Sequence, residues 1–268
     1  MLKLILITDS AEIAQKAQDS GVDIIMIDLE IMGKQERQGG LNTIISNHSI
    51  DAIPRVRQVL SKSKLMVRIN PLHENSKNEI DKVIELGADL IMLPMFDDYS
   101  QVKTIYNMID GRCALVPLLE TTQSLTRVDD ILELTDFEFI HIGLNDLRIG
   151  LGLKFLFEVV SGGLVEYLSK KIHKKKISFG FGGVARMDSG ELPGSLVLSE
   201  HIRLGSEAVI LSRAFHNNSK TLEELNRNVD IEEEIKKLRE YEASYKSDSS
   251  LVEKNKTEFK KIVNKIIS

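Results

Sequence analysis

The stretch "FIHIGLNDLRIGLG", Phe139–Gly152, decides how the chain is read. Phe139, Ile140, Ile142 and Leu144 have the composition of a strand interior, with Gly143 where a backbone has to come close to something. His141, between apolar neighbours, reads as a core histidine with its hydrogen bonds met. The apolar run ends at Asn145, and a carboxylate, Asp146, follows at once. An acid at the lip of a buried strand suits a fold that keeps its chemistry at strand ends.

Comparable runs recur on both sides of this stretch: Leu2–Thr8, Asp23–Glu30, Lys64–Asn70, Asp89–Pro94, Ala114–Glu120, Phe137–Leu144, Ile177–Gly182 and Ala208–Ser212. Most are almost continuous in Ile, Leu, Val, Met and Phe, as strands covered on both faces are. Amphipathic segments such as "AEIAQKAQDSG" and "NEIDKVIELG" lie between them and end at Gly21 and Gly87, as helix C-caps would. Eight such units predict an α/β protein, a (β/α)8 TIM barrel, over an open doubly wound sheet. The barrel core is expected over residues 1–218. Residues 219–268 are expected to hold the last barrel helix and an appended C-terminal helix. The stripe Leu251, Phe259, Ile262 and Ile266 on that helix needs a partner surface, so a homo-oligomer is expected.

Composition narrows the class. The 268 residues carry a net charge of −5 and a pI near 5.8, which argues against a nucleic-acid-binding face. The basic run "KKIHKKK", Lys170–Lys176, reads as the solvated end of a helix. Cys113 is the single cysteine, so no internal disulfide forms, and it reads as a small core residue. The start "MLKLILITDS" has neither the length of a membrane span nor a cleavage pattern, so a cytoplasmic protein with no membrane partner is expected.

Barrel chemistry sits at the carboxyl ends of the strands, and those positions carry Asp28 and Glu30, Arg68 and Asn70, Glu120, then Asn145, Asp146 and Arg148. Gly182, Gly183 and Arg186 follow the seventh strand, and Ser212 and Arg213 the eighth. Glu120 and Asp146, from neighbouring strands, are half of a shell for a hard dication such as Mg²⁺. Their plainer roles would be capping of the helices that begin near "TTQS" and "LRIG". Arg68 has a plainer role too, an ion pair with Asp28 or Glu30.

The segments "MVRINP", "GADLIMLPMF", "VPLLET" and "FIHIGLNDLRIGLG", in this order and spacing, resemble the HpcH/HpaI aldolase and citrate lyase family of the phosphoenolpyruvate/pyruvate-type barrels. The resemblance spans roughly Asp23 to Phe215. It implies Mg²⁺ or Mn²⁺ held by Glu120 and Asp146, chelating a 2-oxo acid whose carboxylate meets the backbone N–H groups around Gly143, Leu144 and Asn145. It further implies that Arg68 neutralises the enolate oxygen, with Asp28 and Glu30 in the same site. The family's aldolases often carry His after the acid of the second strand; here "IDLEIMG" places Ile31 there, and Leu118 replaces a polar amide. His48, in the long loop Ile31–Ser49 with Glu36 and Arg37, is the candidate base. At the last two strands "FGFGGVARMDSGELPG" and "ILSRAF" place Gly183, Arg186 and Arg213 where barrels often bind anions, although the glycines would equally serve a tight turn and Arg213 would equally pair with Glu207 or Glu200.

The expected activity is a divalent-metal-dependent carbon–carbon lyase or aldolase acting through a pyruvate- or oxaloacetate-like enolate. The alternatives are citrate-lyase-like cleavage of a 3-hydroxyacyl-coenzyme A thioester and a non-catalytic barrel that binds an anion.

Overall fold

The computed structural model describes residues 1–33, 48–246 and 250–268. Eight parallel strands close into a barrel in chain order. They are β1 Lys3–Ile7, β2 Ile24–Asp28, β3 Lys64–Arg68, β4 Leu90–Leu93, β5 Ala114–Leu119, β6 Ile140–Ile142, β7 Phe179–Val184 and β8 Ala208–Leu211. β8 pairs with β1 through Lys3↔Ala208 to Leu6↔Leu211, which completes the ring. Helices alternate with the strands, so the fold is a (β/α)8 TIM barrel with helices added after it.

The apolar runs are nearly continuous because each strand serves two cores. Ile5, Ile24, Met26, Met66, Leu90, Met92, Val116, Leu118 and Phe139 fill the barrel interior. Their neighbours Leu4, Leu6, Ile25, Ile27, Leu65 and Leu119 face outward under the helices. Each fully buried side chain of this kind contributes about 1.5–3 kcal/mol. The two-residue period of a strand then has a consequence for the site. The inward row Ile24–Met26 continues to Asp28 and Glu30, Met66 continues to Arg68, Val116–Leu118 to Glu120, and Phe139 to His141 and Gly143. The residues named from strand ends are thus the top layer of the barrel interior.

Two strands differ from the sequence reading. β6 is short, because Leu144 already opens the helix Leu144–Gly150. β7 lies two residues further along than expected, and its pairing with β8 slips between Gly180 and Gly183. Gly182, at φ +47°, supplies the backbone turn of that irregularity.

The C-terminal segments share the barrel's core. Helix Ile231–Lys246 runs across the foot of the barrel: Arg239 donates to the Leu2 carbonyl at 2.6 Å and to Asp23 at 2.9 Å, and Glu242 accepts from the Leu2 amide at 2.9 Å. Helix Ser250–Ile267 packs on helix Gly194–Leu204, burying Phe259 and Val263. Ser199, Tyr241 and Asn255 tie the three helices together with hydrogen bonds of 2.8–3.0 Å. Of the expected stripe, Phe259 is buried and Ile262 and Ile266, partly buried, pack against the chain's own core. No described helix is long and apolar enough to cross a membrane.

Candidate active site

The carboxyl ends of β2 and β3 meet first. Asp28 and Arg68 are register partners, and the guanidinium grips the carboxylate with Nε at 2.8 Å and Nη2 at 2.7 Å. Nη1 lies 3.4 Å from Glu30. Asp28 is fully enclosed and Arg68 retains 15% of its side-chain surface. Burial alone would lower the Arg68 pKa, but Asp28, Glu30 and Glu120 outweigh it and raise it further. The arginine is a permanent cation at the floor of an acidic site.

Glu120 stands across from it at the end of β5. Burial, then the charges of Asp146 and Glu30, push its carboxyl well above the usual carboxylate range, against Arg68 and a hydrogen bond from the Met95 amide. That bond is 3.2 Å long, and Met95 adopts a left-handed backbone, φ +52°, to make it. Neither capping role is realised: Thr121 caps the helix Thr122–Thr126, and no side chain caps the helix that carries Asp146. Gly143 is small for a reason that packing explains. A Cβ there would lie 2.7 Å from both Cβ and Oε2 of Glu120.

These carboxylates suit a dication. Burial and the charge of Asp146 make Glu120 costly to ionise, and a cation beside it reverses that cost. Among the described residues no three His, Cys, Asp or Glu side chains form a complete shell. Two carboxylates are the number Mg²⁺ commonly takes from protein, with waters and substrate oxygens completing the octahedron.

One expectation for the oxo-acid cradle is corrected. The Gly143 N–H donates to the Leu119 carbonyl at 3.0 Å and belongs to the β5–β6 ladder, so it is not available to a ligand. Leu144 and Asn145, in the first turn of the helix, keep N–H groups that have no acceptor within the helix.

His48 is brought to the mouth. Its Nδ1 accepts from the Asp28 amide at 3.1 Å, and Nε2 faces Asp9 at 3.8 Å. With Nδ1 as acceptor, the neutral ring carries its proton on Nε2, toward Asp9. The ring therefore ties His48 to the ends of β1 and β2, and Nδ1 does not point a lone pair at the site. Ile31, in the place of the family histidine, projects outward, and its amide and that of Met32 donate to Asn70 at 3.0 and 3.1 Å. Glu36 and Arg37 lie outside the described residues. Asp9 and Met95 were missed in the sequence. Asp9 lies just past the end of β1, where barrel chemistry also sits, whereas Met95 acts through its backbone and has no side-chain signature.

His141 is half-satisfied. Nε2 bonds to the Gly182 carbonyl at 3.1 Å, while the buried Nδ1 has no hydrogen-bond partner. Burial lowers its pKa to about 4 against that hydrogen bond, with Arg68 lowering it further, so the ring is neutral. On the other side of the mouth, Gly182 and Gly183 leave room for neighbours: a Cβ on Gly182 would meet Leu144 at 2.5 Å and one on Gly183 the Ile210 carbonyl at 3.2 Å. Arg213 pairs with neither suggested glutamate. Glu200 is held by Arg203 and Glu207 by Ser178, whereas Arg213 feels the charges of Asp28 and Arg68.

A family model described as HpcH/HpaI aldolase/citrate lyase matches residues 3–157, more than half the chain. The match covers the first six strands and ends before β7. Among solved structures, the HpcH/HpaI aldolase from Desulfitobacterium hafniense DCB-2 superposes with a TM-score of 0.63 at 12% identity, over 79% of this chain and 86% of that one. At that identity the likeness is one of fold. Among curated proteins none matches.

Proposed function

Because the chain belongs to the HpcH/HpaI aldolase/citrate lyase family, which gives it a general lyase role, we propose that it makes and breaks a carbon–carbon bond next to the enolate of a pyruvate- or oxaloacetate-like 2-oxo acid, using Mg²⁺ or Mn²⁺. The observation that carries this reading is the buried Glu120, destabilised as an anion by Asp146 and Glu30, with the fixed Arg68 cation within reach.

Glu120 and Asp146 would hold the dication. Bound there, it supplies Lewis acidity to the carboxylate and keto oxygens of the substrate and offsets negative charge on the enolate. Arg68 supplies its positive charge to the enolate oxygen. Its orientation is set in advance by two hydrogen bonds to Asp28, so no reorganisation is needed as charge develops. The Leu144 and Asn145 amides bind the substrate carboxylate. His48, fixed by the Asp28 amide, stands at the ends of β1 and β2 with its proton ordered toward Asp9.

The test is exchange of the C3 protons of pyruvate into D₂O, followed by NMR. Exchange is expected with Mg²⁺ or Mn²⁺ and is lost in chelator and in Glu120→Gln. Exchange that persists under both conditions rejects the metal-assisted enolate. Screening hydroxy acids against their 3-hydroxyacyl-coenzyme A thioesters then assigns the chain to aldolase or citrate-lyase-like cleavage.

A further inference from the structure

We infer that the ends of β7 and β8 form a subsite for a second anionic group, a carboxylate or phosphate, carried by the part of the substrate remote from the 2-oxo acid. The inference deepens the function proposed above and rests on it for the placement of the oxo-acid end.

Arg186 and Arg213 each follow a strand by two residues, and those strands are paired through Val184↔Leu211. The Ser212 amide extends the ladder by donating to the Val184 carbonyl at 2.9 Å, so the two arginines leave neighbouring staves at the same height. Arg186 is half-buried, and its Nε is enclosed with no hydrogen-bond partner. Among the described residues no carboxylate pairs with it, in a chain that has 40 acids against 35 bases. Arg213 adds a second charge, partly desolvated and already facing Asp28 and Arg68. His216, buried in the turn after Arg213, has an Nε2 that also lacks a partner.

An unmet Arg186 donor and two guanidinium groups have one chemical complement, an oxyanion. A guanidinium fork suits carboxylate and phosphate alike. Gly182 and Gly183, which precede this corner on β7, carry no side chain, and Leu144 packs close against Gly182. The family match stops at residue 157, so the residues of this corner belong to a part of the chain that match does not describe.

The full chain is titrated calorimetrically with succinate and with inorganic phosphate, in Mn²⁺ and saturating oxalate, which occupies the oxo-acid end. At least one probe is expected to bind, and Arg186→Gln is expected to weaken it by about tenfold or more. Arg213→Gln should do the same, and Arg186→Lys should restore part of the loss. Unfolding midpoints of the variants confirm that they fold. The tighter probe identifies the group as carboxylate or phosphate. Absence of binding by both probes, or binding that neither glutamine variant weakens, overturns the subsite. Oxalate binding is read separately, so failure of the oxo-acid site and failure of this corner are distinct results.

Discussion

Arg68 and Asp28, register partners on adjacent strands, meet through two hydrogen bonds of 2.8 and 2.7 Å, and the acid has no solvent exposure at all. The pair fixes a buried cation at the mouth and also joins the second and third staves of the barrel.

Removing one partner leaves the other charged and buried. Arg68→Ala is expected to cost about 3–5 kcal/mol in chemical denaturation. Arg68→Lys keeps the charge but loses the fork, and a fall of about 10²–10³ in kcat with near-native stability is expected.

Metal binding should be coupled to a proton. Since the folded chain holds the Glu120 proton more tightly than the unfolded chain does, stability from this group is complete below pH 4.5 and is lost as pH rises through the raised value. Binding of Mn²⁺ requires the ionised form, so its affinity should climb about tenfold per pH unit in that window, with proton release measured by calorimetry in two buffers. Glu120→Gln should abolish both the affinity and the release.

Gly143→Ala tests whether packing holds Glu120 in place. The added methyl would sit 2.7 Å from the Glu120 side chain. A stability loss of about 1–3 kcal/mol is expected from overpacking, with Mn²⁺ affinity reduced more than tenfold, roughly. Native affinity in this variant would show that Glu120 can move freely.

Acid stability should follow the buried histidines. The folded pKa of His141 is about 4 against an ordinary 6.5, so the unfolded chain gains the proton first. Stability is full above pH 6.5 and falls between 6.5 and 4 by about 1.4 kcal/mol per pH unit from this residue. His201 and His216, lowered mainly by burial, add to the same window. His141→Phe should flatten the urea-midpoint profile there by the share of one histidine.

The C-terminal helix is expected to behave as part of the barrel. Phe259 is buried against Phe157 at 5.9 Å between ring centroids, and Phe259→Ala should lower stability by about 3–5 kcal/mol in one cooperative transition. A separate early transition would instead mark the helix as a loosely attached segment.

Much of this molecule is local information. A run such as "IIMID" is apolar on both faces because it must serve two cores, and that alternation carries on to put Asp28, Arg68 and Glu120 in the uppermost layer of the interior. Anyone holding the chain's letters can therefore infer a barrel and most of the acids and bases at its mouth. Contacts made across the ring are another matter, since they depend on which staves lie side by side and at what height. That the Gly143 amide is consumed by Leu119, that Met95 offers its backbone to Glu120, that His48 reaches Asp28 and Asp9 from a distant loop, and that the last helix folds onto its own barrel are set by distances between segments remote along the chain. No spacing in one dimension encodes such distances; closure of the eighth strand on the first does.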